Sequence, residues 1–114
     1  MASIEDVEQF LQEFKLKMGI WEVLFLNRTK NTQTLSDLEI TAASRKNILY
    51  GLESEDYSEG PLEDKMINGS HMWVFGKHIK GQEVYIKITL GNPNSSVICI
   101  SFHLAEYQMN YPLK

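Results

Sequence analysis

The last third of the chain constrains the fold most. Three β-rich runs, Met72 to Ile79, Gln82 to Leu90 and Ser95 to Leu104, are separated only by Lys80-Gly81 and by Gly91-Asn92-Pro93-Asn94. Parallel neighbours need a crossover of about a dozen residues or more, so these short connections predict an antiparallel meander. Side chains alternate between the two faces of a strand. Val84, Ile86, Ile88 and Leu90 interleave with Glu83, Tyr85, Lys87 and Thr89, while Ile98, Ile100, Phe102 and Leu104 interleave with Cys99, Ser101 and His103. If the apolar sets share a core, then Tyr85, Lys87, Ser101 and His103 share the opposite face. The first strand is ambiguous. A two-residue Lys80-Gly81 turn places His78 on the polar face and Lys77 on the core side, whereas a longer loop exchanges them. Lysine fits poorly the positive φ that the short turn demands, so both arrangements stand at this point.

Upstream, Ile4, Val7, Phe10, Leu11 and Phe14 recur at helical spacing behind Ser3, predicting an amphipathic helix over about residues 3–17, stopped by Gly19. Ile20 to Leu26 reads as a strand that ends at the polar stretch Asn27 to Thr34. Leu35, Leu38 and Ile40 suggest a short helix or turn, and Thr41 caps a second helix that ends near Gly51. Glu53 to Ser70 is acidic and carries the turn signals Gly60-Pro61 and Asn68-Gly69, so the expectation there is a mobile loop. The fold class that results is α+β, with N-terminal helices packed on a C-terminal antiparallel β-sheet, in a single domain spanning 1–114.

Composition narrows the function. With 43% hydrophobic residues among 114 the chain can bury a core. No apolar run is long enough to cross a bilayer, and the acidic start lacks the pattern of a secretory leader. A lone cysteine, Cys99, permits no internal disulfide and is expected to be a small, semi-buried residue. A reducing cytoplasm is the expected compartment. The net charge of −4 argues against a uniformly basic nucleic-acid surface, but the charge is uneven. Residues 1–71 hold seven Lys/Arg against thirteen Asp/Glu, residues 72–114 hold four Lys against two Glu, and all three histidines lie at or beyond that boundary. A localised site in the last third is the expectation. His71, His78 and His103 lack metal-ligand spacing, so neither a metal nor a cofactor is expected.

The shared polar face offers a phenol, an ammonium, a hydroxyl and an imidazole. Such a set suits acid–base work on a phosphodiester: Tyr85 orients a ribose 2′-hydroxyl, Lys87 stabilises the charged phosphorane and His103 protonates the departing oxygen. Lys77, His78 and Ser101 are the candidate substrate contacts. The plain alternative is a solvated sheet face, the usual look of a half-exposed antiparallel sheet.

The run Gly81-Gln82-Glu83-Val84-Tyr85-Ile86-Lys87-Ile88-Thr89, followed by Val97-Ile98-Cys99-Ile100-Ser101-Phe102-His103, resembles the C-terminal half of the motility quorum-sensing regulator toxins. Gly51-Leu52-Glu53-Ser54-Glu55-Asp56-Tyr57, ahead of Trp73, echoes the same family in the same order. The resemblance implies a RelE-like fold, mRNA cleavage without a metal and a cognate antitoxin as partner, with Tyr85 at the family's functional tyrosine. His103 stands where the family more often has lysine, Glu59 replaces another family lysine, and Val74 replaces a glutamine. A second reading keeps the same fold as a non-catalytic interaction module, binding a protein through the sheet face, a sheet edge or the aromatic tail Tyr107 to Pro112.

Overall fold

A computed structural model describes residues 1–63 and 70–114. The meander forms as expected: β3 (His71–Ile79), β4 (Gln82–Thr89) and β5 (Val97–Leu104) are consecutive antiparallel neighbours. Two further strands complete a sheet ordered β1-β5-β4-β3-β2, where β1 is Val23–Phe25 and β2 is Tyr57–Glu63. Because β1 runs parallel to β5, the sheet is mixed and not wholly antiparallel. The helices are α1 (Ile4–Ile20), α2 (Thr29–Leu38) and α3 (Ser44–Tyr50), and they precede the four-stranded bulk of the sheet. No helix among the described residues is long and apolar enough to cross a membrane.

The hydrophobic stripe of α1 covers one sheet face. Val7, Phe10, Leu11, Phe14 and Met18 are buried against Phe75, Val84, Ile86, Ile88 and Phe102 in one apolar cluster. Burying such side chains stabilises by about 1.5–3 kcal/mol each. Ser3 and Asp6 close a reciprocal cap at the start of the helix, with the shorter aspartate reaching Ser3 N at 3.2 Å. The helix then runs through Gly19, past the expected stop.

Two other expectations fail for identifiable reasons. The polar stretch from Asn27 belongs to α2 in its later part, because the inward side of that helix is polar. β1 ends at Phe25, and beyond it the outer edge of β5 has no strand to pair with. Asn31 takes that place: its Nδ2 donates to the carbonyls of Leu26 (3.0 Å) and Ile100 (3.1 Å), and its Oδ1 accepts from Phe102 N (3.0 Å). Thr34 Oγ1 accepts from Leu104 N at 3.1 Å. The second failure is the loop. Tyr57–Glu63 forms edge strand β2 and is not a loop, anchored by Tyr57, which is buried against Phe75 and Trp73. Residues 64–69, including the Asn68-Gly69 turn signal, lie outside the described residues.

The Lys80-Gly81 question resolves to the two-residue turn. Both residues take positive φ, 51° and 81°, and Ile79 pairs with Gln82. Parity along β5 holds only in part. Lys87 pairs with Ser101 but Ile88 pairs with Cys99, so Ile100 is the extra residue of a β-bulge. Below the bulge the faces exchange, and Cys99 joins Val97 in the core instead of sharing a face with Ser101 and His103.

Two measurements check these assignments. Asn31→Ala leaves the Ile100 carbonyl and the Phe102 N–H unpaired, and its unfolding free energy in urea should fall by about 2–3 kcal/mol, with exposed Thr32→Ala within about 0.5. Burial pushes the Cys99 thiol from 9.0 up to about 12. A raised folded-state value favours the native state below the unfolded thiol's ionisation and withdraws that support as pH climbs toward the folded value. The urea midpoint should therefore fall above pH 9.0, and less steeply in Cys99→Ala.

Candidate active site

The sheet face away from α1 carries an open groove of about 930 Å³. Its floor is built from two cross-strand pairs of β4 and β5: Tyr85 opposite His103, and Lys87 opposite Ser101. Opposed residues on one face have Cβ atoms about 4.5–5.5 Å apart, which places four polar side chains in mutual reach. The Tyr85 and His103 rings stack with centroids 5.1 Å apart and planes 14° from parallel. That stack holds both rings in a fixed orientation.

The chemistry of each group follows from its surroundings. His103 Nδ1 lies 2.9 Å from the Leu104 carbonyl. A carbonyl only accepts, so that contact places a hydrogen on Nδ1 and leaves Nε2 as the nitrogen open to proton exchange. Burial, reinforced by the carboxylate of Glu59, raises the Tyr85 phenol above its ordinary value. Tyr85 is therefore a neutral hydroxyl at physiological pH and serves as a hydrogen-bonding group, not as a base. Ser101 is almost fully covered, so it supports the floor more than it presents to solvent.

Three elements wall the groove. Arg28, Thr29, Lys30 and Asn31 enter from the start of α2, and Ser58 and Glu59 from β2. Residues 106–110, which follow β5, close the far end. Lys30 ties this tail to α2 through a 2.7 Å ion pair with Glu106, and its hydrogen bond draws the Glu106 carboxyl below the usual range. Beyond the wall, Glu83 clamps the tail: Oε1 accepts from Met109 N (3.2 Å) and Oε2 from the Tyr111 hydroxyl (2.6 Å). Gly76 permits this. A Cβ there would run into the Tyr111 hydroxyl and lie 2.9 Å from Met109 Sδ.

Of the six residues that the sequence singles out, four line the groove: Tyr85, Lys87, Ser101 and His103. Lys77 does not. It pairs with buried Val84 on the α1 side, and its amine turns to Asp56 Oδ2 at 3.0 Å, so it is no substrate contact of this groove. His78 pairs with Glu83 and has the right parity, but it is exposed outside the groove. Glu59, Arg28 and Tyr107 line the groove without having been singled out for it. Glu59 carries two sequence signals, its place at a family lysine and its membership of the acidic series Glu53, Glu55, Asp56, Glu59, Glu63 and Asp64, which reads as a solvated loop able to offer one carboxylate base; Arg28 and Tyr107 sit in stretches without a periodic pattern. No three His, Cys, Asp or Glu side chains converge as a metal site among the described residues.

The tail clamp is testable. Gly76→Ala should displace residues 109–111, exposing Glu83 and speeding amide exchange at Met109, while the core stays folded. Unchanged exchange at Met109 in a folded Gly76→Ala variant would contradict it.

Comparison with known protein families, with curated proteins and with solved structures finds no match for the chain.

Proposed function

We propose that this chain is an endoribonuclease that cleaves mRNA by 2′-hydroxyl attack, using side chains alone, and that it is the toxin of a bacterial toxin–antitoxin pair. The observation that carries the reading is the floor of the groove: phenol, imidazole and ammonium facing the open groove from two adjacent cross-strand pairs, with the covered Ser101 hydroxyl beneath them. The resemblance of Gly81 to Thr89 to the motility quorum-sensing regulator toxins supports the same assignment.

In this mechanism the scissile phosphate lies over Lys87, whose ammonium offsets the charge that grows on the phosphorane. The neutral Tyr85 hydroxyl orients the attacking 2′-hydroxyl. Protonated His103 donates from Nε2 to the departing 5′-oxygen, the ring being held by its Nδ1 contact and by Tyr85. The products are a 2′,3′-cyclic phosphate and a 5′-hydroxyl. Arg28, on the groove wall, is placed to take a neighbouring phosphate.

Cleavage of mixed-sequence RNA in excess EDTA tests the assignment. His103→Ala should lower the rate by about 10²–10⁴-fold, and Lys87→Met by about 10²–10³-fold, at matched thermal stability. Full activity in both His103→Ala and Tyr85→Phe removes this face from the mechanism. In cells, expression should arrest growth, and co-expression of the cognate antitoxin should relieve it.

One observation favours the interaction-module reading. Leu16, Ile20, Trp21 and Leu24 are exposed apolar residues near the end of α1 and in the short edge strand β1. The tail supports it less: Tyr107 is 86% exposed, but Tyr111 is folded onto Glu83. High expression of folded protein with no effect on growth favours this second reading.

A further inference from the structure

Tyr85, Lys87 and His103 leave one role of the proposed reaction unfilled, the base that takes the 2′-hydroxyl proton. Tyr85 stays a neutral phenol, an ammonium such as Lys87 has no acceptor, and His103 serves the leaving group. Carboxylates are the remaining candidates around the groove. Glu106 is engaged by Lys30 at 2.7 Å, and Glu83 is occupied by Met109 N and the Tyr111 hydroxyl. Glu59 lines the groove, is exposed, and has no hydrogen-bond or ion-pair partner among the described residues.

The strand register places it further. Glu59 pairs with Val74, Val74 with Lys87, and Lys87 with Ser101, a single row across β2, β3, β4 and β5. His103 is on β5 in the next row, beside Tyr85. Glu59 and His103 therefore flank Lys87 and Tyr85 from opposite sides. Strands lie about 4.8 Å apart, so the two backbones are separated by about 14 Å. Both side chains line the same groove, so a phosphodiester lying over Lys87 has a carboxylate on one side and an imidazole on the other, the two positions from which a base and an acid act on an in-line displacement. The electrostatic influence of Glu59 on Tyr85 fits its carboxylate being directed toward the floor.

We propose that Glu59 is the general base of this site and that Glu59 and His103 form a carboxylate–imidazole acid–base pair. This inference rests on the ribonuclease reading above and adds its substrate class: a phosphodiester with a free neighbouring 2′-hydroxyl. Glu59 removes the 2′-hydroxyl proton as the 2′-oxygen–phosphorus bond forms. The phosphorus–5′-oxygen bond breaks, and His103 gives its Nε2 proton to the departing oxygen. Glu59 ends protonated and His103 neutral, and exchange with water resets both.

The test compares ordinary RNA with RNA whose 5′-bridging oxygen is replaced by sulfur, a leaving group that needs no proton. Glu59→Gln should lower kcat by about 10²–10⁴-fold on both substrates, with KM little changed. It should also abolish the acidic limb of the pH–rate profile, where the rate rises as the base loses its proton. Glu59→Asp should restore part of the rate. His103→Ala should be defective on ordinary RNA, recovered on the sulfur substrate, and lacking the alkaline limb instead. Wild-type cleavage together with undiminished Glu59→Gln activity and an intact acidic limb overturns the assignment alone. Recovery of Glu59→Gln by the sulfur substrate does the same, since it would make Glu59 an acid. A wild-type chain that cleaves no RNA overturns the ribonuclease reading and this inference with it.

Discussion

The outer edge of β5 presents the backbone with a problem that shapes the groove. β1 pairs with β5 only from Val23 to Phe25, yet β5 continues inward through residues that are buried. Ile100 C=O, Phe102 N–H and Leu104 N–H need partners, because a buried unpaired backbone group costs about 1–3 kcal/mol. Asn31 and Thr34 supply them from a helix that stands in for the missing strand. Once those bonds form, the position of α2 is fixed. Its first turn then brings Arg28 to the groove, and Lys30 holds the tail through Glu106. A need for hydrogen bonds at one strand edge thus determines two walls of the site.

The floor has a different origin. Phe102 and Leu104 pack toward α1 with Val84 and Ile86, and this requires Tyr85, Lys87, Ser101 and His103 to face the other way. The bulge at Ile100 lets both demands hold along one strand. On one side of it the polar residues reach the groove; on the other, Val97 and Cys99 reach the core. At the far end Gly76 leaves room for Tyr111 to lie on the sheet, and Glu83 secures it. The groove is thus bounded by a helix and a folded-back tail, both held by hydrogen bonds to named side chains, and by an edge strand paired with β3.

Electrostatically the site is not a basic surface of the kind nucleic-acid binding often uses. Lys87, Arg28 and His103 provide local positive or protonatable groups, while Glu59 and Glu106 border the same space. In the ribonuclease we propose, such an arrangement serves recognition of one phosphodiester with its neighbouring hydroxyl better than broad contact with a charged backbone. The acidic majority of the chain lies in residues 1–71, largely on α1 and the segments leading to β2.

The sequence alone determined the meander, the first helix and the polar face, because strand alternation and helical spacing are local periodicities that a buried core enforces. It also settled the joint placement of Tyr85, Lys87, Ser101 and His103, since parity above the bulge does not depend on register. Only the end of α2, at Leu35 and Leu38, was legible, because its earlier inward residues, Asn31 and Thr34, are polar and their partners are about 70 positions away. β2 was missed because an edge strand with Gly60-Pro61 and alternating acids reads as a loop until β3 is there to pair with it. Whether Lys77 or His78 faced the groove hung on a turn whose lysine adopts positive φ, a local cost that the pairing of β3 with β4 overrides. Cys99 changed sides because a bulge leaves no local mark in the alternation. Only the tertiary structure brought Glu59 and Arg28 to the same groove as His103, since nothing in their own segments records a neighbour so distant in sequence.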